Sequence, residues 1–284
     1  MKNALEIKDL HKVYKNGTYA LKGLSLEIKQ GEFFALLGPN GSGKTTMINI
    51  LSGPTKKTSG DVKVMGMNIE EFRQETKMLL GVVPQELSAD SFFTVNETLN
   101  LQSGYYGIRN NQKYIDEILE KLSLKDKKHA NTRALSGGMK RRLEVARGLI
   151  HRPRVLFLDE PTLGLDPQSR TKLWEFIAEL TEKHNVTIFM TTHYMEEAEV
   201  CDRIAIIDNG KIIAAGTPDE LKKAIGGDVI YIKTTDNASA KKEIERLLKF
   251  GVSEKDSELF MTCAMGDTCI PEVIRTIGEK DKIF

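Results

Sequence analysis

Residues 4–32 alternate between apolar and polar positions: Leu24, Leu26 and Ile28 fall on one face, Ser25, Glu27 and Lys29 on the other. A period of two marks half-buried strands and predicts an antiparallel sheet. The texture changes at Phe33. Phe33-Phe34-Ala35-Leu36-Leu37 is apolar without a break, as a strand covered on both faces of a parallel sheet requires. A helix is expected after the glycines that follow, with Ile48 and Leu51 on its apolar side. Three further short apolar runs, Leu80 to Val83, Val155 to Leu158 and Val186 to Met190, read as strands separated by helical patterns. That alternation predicts an α/β core with a mostly parallel sheet.

Between Gln85 and Leu135 no strong strand pattern occurs. Ile115, Ile118, Leu119 and Leu122 stand at helical spacing, so residues 112–123 are expected as a helix within a helical insertion over about residues 86–135. Sustained heptads are missing, which excludes a coiled-coil arm. After Gly216-Thr217-Pro218 the pattern predicts a strand over Asp228 to Thr234, a helix over 238–249 and a strand over Glu258 to Cys263. The expected division is therefore a main domain over 1–216 and a small α/β extension over 217–284. Lys282-Ile283-Phe284 reads as the opening of a strand, so the natural sequence is expected to run on past this point.

Composition narrows the classes without naming one. The 284 residues carry a net charge of +1, with 40% hydrophobic and 29% charged residues. That is a globular profile with no bulk signal for nucleic acid. No apolar run approaches the roughly 18–20 residues of a membrane helix. The opening Met-Lys-Asn-Ala has no apolar signal region. Cys201, Cys263 and Cys269 lack metal-ligand spacing and read as free thiols in a reducing compartment.

The candidate chemistry lies at three places. Gly38-Pro39-Asn40-Gly41-Ser42-Gly43-Lys44-Thr45 fits G-x-x-x-x-G-K-[ST] between an expected strand and an expected helix. Glycines there let backbone N–H groups turn inward around phosphate oxygens, and the helix start adds its dipole. Lys44 then reaches the β- and γ-phosphates, the Thr45 hydroxyl ligates Mg²⁺, and Thr46 holds phosphate from the next position. Val155 to Leu158 runs into Asp159-Glu160-Pro161. Ligands in parallel sheets gather beyond the carboxyl ends of the strands. Asp159 is thus placed to hold Mg²⁺ and Glu160 to orient and deprotonate a water. Pro161 is expected to keep the Glu160 backbone extended. Leu135-Ser136-Gly137-Gly138-Met139 precedes an amphipathic helix, with Ser136 as its N-cap and two glycines that let an anion approach. Lys140, Arg141 and Arg142 read as a solvated basic face.

Together these residues resemble the ATP-binding cassette (ABC) family, over residues 3 to about 216. Leu135-Ser136-Gly137-Gly138 looks like its signature and lies between the phosphate loop and Asp159-Glu160, as the family places it. The resemblance implies further roles. Gln85, after Val83-Pro84, matches the glutamine loop and joins the catalytic and Mg²⁺-binding sets. Asp166, after Leu165, matches the loop facing a partner subunit, and His193 the switch histidine. Tyr14 matches the aromatic that stacks on adenine, with Tyr19 close enough to compete. It further implies ATP and Mg²⁺ as cofactors, and a head-to-tail pair with a second copy or a paralogous cassette. In such a pair Ser136, Gly137 and Gly138 read the partner's ATP.

Met139-Lys140-Arg141-Arg142-Leu143 and the extension after Gly216 are similar to cassettes of ABC-2 type exporters, including drug-resistance systems. Met139 departs from the family's usual glutamine. A separate polytopic permease, docked by the Gln85 loop and the helical insertion, follows from the resemblance, with the chain on the cytoplasmic face of the membrane. The competing class is a cassette ATPase acting on ribosomes or DNA, against which stand the single cassette, the missing coiled coil and the near-neutral charge. A non-hydrolysing regulator would need Glu160 or His193 to be absent.

Overall fold

The computed structural model describes residues 2–88, 92–225, 228–234, 236–255, 258–263 and 266–278. The chain divides into two compact units, Met1–Ala215 and Gly216–Phe284.

The first unit opens on two long strands, β1 (Asn3–Val13) and β2 (Tyr19–Lys29), then β3 (Phe33–Leu37) and α1 (Lys44–Leu51). There follow β4 (Ser59–Val64), β5 (Met67–Asn68), α2 (Arg73–Met78) and β6 (Leu80–Val83). A helical stretch holds α3 (Val95–Tyr105), α4 (Gln112–Lys121) and α5 (Gly137–Leu149). The unit closes on β7 (Val155–Asp159), α6 (Pro167–His184), β8 (Thr187–Thr192), α7 (Met195–Ala198), β9 (Arg203–Asp208) and β10 (Lys211–Gly216).

The alternating segment forms the antiparallel sheet β2-β1-β4-β5. Leu24, Leu26 and Ile28 are buried and the intervening residues exposed, which is how a two-sided period buries one face. The second sheet has the order β10-β9-β3-β8-β7-β6, with parallel pairing from β9 through β6. β3 and β7 are buried at every position. Phe34, Phe157 and Phe189 meet in its core, with ring centroids 5.6 and 5.4 Å from Phe189.

This sheet differs from the expectation at two places. The run predicted from Val186 to Met190 forms a strand from Thr187 to Thr192. Val186 N–H is taken by Leu180 O in the turn that ends α6, and the strand runs on because Leu36 and Leu37 pair with Thr191 and Thr192. β9 and β10, joined through Asn209 and Gly210 at φ 46° and 77°, are a hairpin signalled by Asn-Gly and absent from the sequence reading. The helix expected over 112–123 is α4, with Leu122 as its C-cap and Ser123 at φ 52°.

The second unit begins with α8 (Pro218–Ile225) and continues β11 (Asp228–Ile232), α9 (Asn237–Leu247), β12 (Val252–Lys255), β13 (Glu258–Cys263) and α10 (Gly266–Gly278). Its antiparallel sheet has the order β11-β13-β12. Ile232, Ile244, Leu259, Met261 and Val273 form its own core. The expected helix over 238–249 starts one residue earlier, where the Asp236 carboxylate accepts from Ser239 N–H. Lys282-Ile283-Phe284 lies outside the described residues.

Candidate active site

The phosphate-type loop sits where β3 ends. Gly41 and Gly43 have φ of 80° and 114°, a region glycine enters freely and other residues rarely. At Gly43 a Cβ would lie 2.8 Å from Ala20 O, and at Gly38 2.3 Å from Ile207 O. The loop is thus wedged against β2 and β9 and admits no side chain at either point. α1 has no side-chain cap, so its first N–H groups face outward with no side-chain partner. The Ser42 hydroxyl is buried and has no hydrogen-bond partner. A buried orphan hydroxyl beside a bare helix start fits an anionic ligand.

Lys44 is buried at the first position of α1 and donates to Gly38 O at 2.7 Å and Pro39 O at 3.1 Å. Its ammonium lies 3.7 Å from Glu160 Oε1. Burial lowers its pKa, against which Glu160 and Asp159 act to raise it. Lys44, Thr45, Thr46, Gln85 and Glu160 share a cleft of ≈ 610 Å³ with Tyr14 and Tyr19. Tyr14 bonds through its hydroxyl to Thr46 Oγ1 at 3.2 Å, whereas the Tyr19 hydroxyl meets His11 Nδ1. Both tyrosines therefore border the cleft, with Tyr14 tied to the phosphate end of it.

Glu160 occupies the centre. Its Oε2 accepts from Gln85 Nε2 at 3.1 Å, and its Oε1 lies 3.2 Å from His193 Nδ1. The His193 ring rests on Tyr194, with centroids 3.9 Å apart, a contact the sequence reading missed. Asp159, 4% exposed, accepts from the Thr191 hydroxyl. Gly38 N–H donates to Thr192 O at 3.2 Å, so the end of β8, which carries His193, is tied to the loop.

The backbone of Glu160 differs from the expectation. Its φ is +47°, left-handed rather than extended. Tertiary bonds override the influence of the following proline: Glu160 N–H donates to Thr191 O at 3.1 Å, and Glu160 O accepts from Arg141 Nη2 at 2.8 Å. Strained backbone of this kind persists where surrounding contacts over-determine it.

The basic face is a second correction. Arg141 is 2% exposed and makes its contacts with backbone carbonyls. Arg142 donates to Leu122 O at 2.9 Å. The Arg141 guanidinium is not a solvated charge, and that of Arg142 is half-buried. Glu144, also buried, accepts from the Ser88 N–H at 2.8 Å and from the Ser88 hydroxyl at 3.1 Å. A basic run on a helix gives no hint that one member turns inward. The only available signal is that Arg141 stands one turn before Val145, on a second buried face of the helix.

Ser136 caps α5 by accepting from Met139 N–H at 3.3 Å. Ser136 and Gly137 are exposed, and a Cβ on Gly137 would meet nothing within 4 Å. Gly138 lies beside Leu165 and Ser169. Asp166 caps α6 by accepting from Ser169 N–H at 2.9 Å, and hydrogen bonding by the Ser169 side chain first, then by its backbone, holds the carboxyl below the usual range. Ser136, Gly137, Gly138 and Asp166 are not among the residues lining the Lys44–Glu160 cleft. The buried cradle and the start of α5 are therefore separate places on the chain.

A glycine cradle at a strand end, a buried lysine and a glutamate gripped by glutamine and histidine define a nucleotide-hydrolysing cassette. Comparison places it: the chain matches the ABC transporter family over residues 21–163 and belongs to that family. It is an ATP-binding subunit of the ABC transporter class, with the ATPase fold and site of that class. It is 44% identical to the Nod factor export ATP-binding protein I of Ralstonia nicotianae, over 82% of this chain and 73% of that one. It is 41% identical to the linearmycin resistance ATP-binding protein LnrL of Bacillus subtilis, over 80% and 73%. Among solved structures, the dimeric post-hydrolysis cassette MJ0796 bound to ADP and Pi superimposes with a TM-score of 0.70 at 28% identity, covering 75% of this chain and 98% of that one.

Proposed function

We propose that this chain is the motor subunit of an ABC-2 type exporter, and that two cassettes hydrolyse ATP at shared sites. The observation that carries the reading is Glu160, buried and held by Gln85 and His193 in the cleft that contains Lys44. In this reading Lys44, Ser42 and the backbone of Gly38 to Gly43 hold the phosphates. Tyr14 stacks on the adenine ring. Glu160 takes a proton from water as the water oxygen bonds to the γ-phosphorus and the bond to the β-bridging oxygen breaks, leaving ADP and phosphate. Gln85 and His193 keep the carboxylate aimed.

Among the described residues no cluster of three or more His, Cys, Asp or Glu is placed to hold a metal. Oxygen donors suit Mg²⁺, which keeps water and phosphate ligands and needs few from protein. Thr45, Gln85 and Asp159 would hold it, and it would supply charge neutralisation at the phosphates.

Ser136, Gly137 and Gly138, at the start of α5 where Ser136 and Gly137 are exposed, would read the γ-phosphate held by a second cassette, with Asp166 at the same face. The partner is a second copy or a paralogous cassette. The relatives named for Nod factor export and linearmycin resistance support the exporter branch. No helix among the described residues is long and apolar enough to cross a membrane. In this reading a separate permease carries the pathway and the chain sits on its cytoplasmic face. Phe93, Leu101 and Tyr105 are exposed around a hollow of ≈ 540 Å³ on α3, an apolar surface suited to a permease loop.

Tagged chain purified from detergent-solubilised membranes is expected to bring down one polytopic membrane protein in stoichiometric amount. Recovery of ribosomes or DNA in its place would overturn the exporter reading.

A further inference from the structure

Arginine carries five N–H donors in a planar fork. Arg141 spends all five on backbone carbonyls. Nε donates to Pro161 O at 2.8 Å. Nη1 donates to Pro84 O and, at 3.3 Å, to Gln85 O. Nη2 donates to Asp159 O at 2.7 Å and Glu160 O at 2.8 Å. The acceptors come from two segments remote in sequence: the end of β6 with its loop, and the end of β7. Both segments carry a side chain that meets at Glu160, since Gln85 bonds its carboxylate.

Arg141 itself stands on a third segment, α5, one turn beyond the cap at Ser136. The same helix grips the Gln85 loop again through Glu144, which accepts from Ser88. Helix, loop and strand end are therefore one hydrogen-bonded unit. The Glu160 backbone is fixed from both sides, by Thr191 at its N–H and by Arg141 at its carbonyl. With φ at +47°, loss of either hold allows the chain to relax toward ordinary geometry and turn the carboxylate away.

We propose that Arg141 is the positioning residue through which the helix beginning at Ser136 sets the backbones of Gln85 and Glu160. This rests on the reading of Glu160 as the base and Gln85 as its partner. It adds a physical link between the turn that reads one nucleotide and the carboxylate that acts on another. A lysine cannot replace the fork, because three donors on one nitrogen leave at least two of the five carbonyls unpaired.

The test is steady-state ATP hydrolysis by Arg141→Lys, run well below its melting temperature. kcat is expected to fall by about tenfold or more, since small displacements of catalytic groups cost up to about 10²-fold. KM for ATP should stay within about threefold, because Lys44 and the glycine cradle are untouched. Arg141→Lys combined with Gln85→Ala should be no slower than the slower single variant by more than about twofold, as expected of residues acting as a unit. A lowered melting temperature with parent kcat, or effects that multiply in the double variant, would overturn the proposal. If Arg141→Lys fails to fold by circular dichroism, Arg141→Gln, which keeps an amide donor, takes its place under the same criteria. Glu160→Gln, measured alongside, separates the two failures. Parent turnover in Glu160→Gln defeats the reading of the site, whereas slow Glu160→Gln with unimpaired Arg141 variants defeats only the positioning role.

Discussion

ATP turnover falls by about 10²- to 10³-fold in Glu160→Gln, the range that loss of a positioned general base produces. Glutamine matches glutamate in size and retains one carbonyl oxygen to accept from Gln85 or face His193. It has no basicity, so water must attack without proton acceptance. The proposed phosphate contacts lie elsewhere, on the Gly38 to Lys44 run, so ATP affinity should remain within a few-fold of the parent. The Lys44 ammonium, 3.7 Å from Glu160 Oε1 in the parent, loses a carboxylate neighbour and is left freer to meet phosphate. Phosphate release under saturating ATP, with affinity read by nucleotide-analogue fluorescence, checks both halves. Turnover at the parent rate would remove Glu160 from the role of base.

The second large effect belongs to Lys44. Lys44→Ala should weaken ATP binding by roughly 30- to 150-fold, about 2–3 kcal/mol, the scale of a lost charge-assisted contact to phosphate. The residue is buried against Gly38 O and Pro39 O, so its removal also unties the loop from the start of α1. That second effect acts in the same direction, because a loop that no longer holds its N–H groups inward binds phosphate less well. Calorimetric titration with ATP measures it. Unaltered affinity would contradict the placement of phosphate in this cradle.

Most of the chemistry was legible because it is local. The glycine run declares its loop through residue types that only a cradle needs, and the structure wedges Gly38 and Gly43 where no Cβ fits. Asp159 and Glu160 are readable once β7 is recognised as a buried strand. Gln85 and His193 were singled out by resemblance and not by residue chemistry, since neither is informative alone, and their convergence on Glu160 emerged only in the structure.

What escaped was carried by tertiary contacts. Arg141 looks like its neighbours Lys140 and Arg142 in the sequence, and its partners are carbonyls, which no sequence pattern displays. The Glu160 backbone obeys Thr191 and Arg141 in place of Pro161. Such conflicts between local preference and tertiary structure concentrate at functional sites. Thr187 to Thr192 extends past its apolar run because pairing with β3, not hydrophobicity, sets where it ends.

The central claim is that each active site joins the cradle of one chain to the Ser136 turn of another. Mixing two inactive variants tests it directly. Lys44→Ala has a failed cradle and an intact turn; Ser136→Glu has an intact cradle and a turn that repels phosphate. A mixed pair holds one intact site and one doubly damaged site. Equal mixing should restore roughly a quarter of the parent ATPase rate, because about half of random pairs are mixed and each has one working site of two. If each chain carried its whole site, the mixture would hydrolyse ATP no faster than its two components measured apart, and the shared-site account would be wrong.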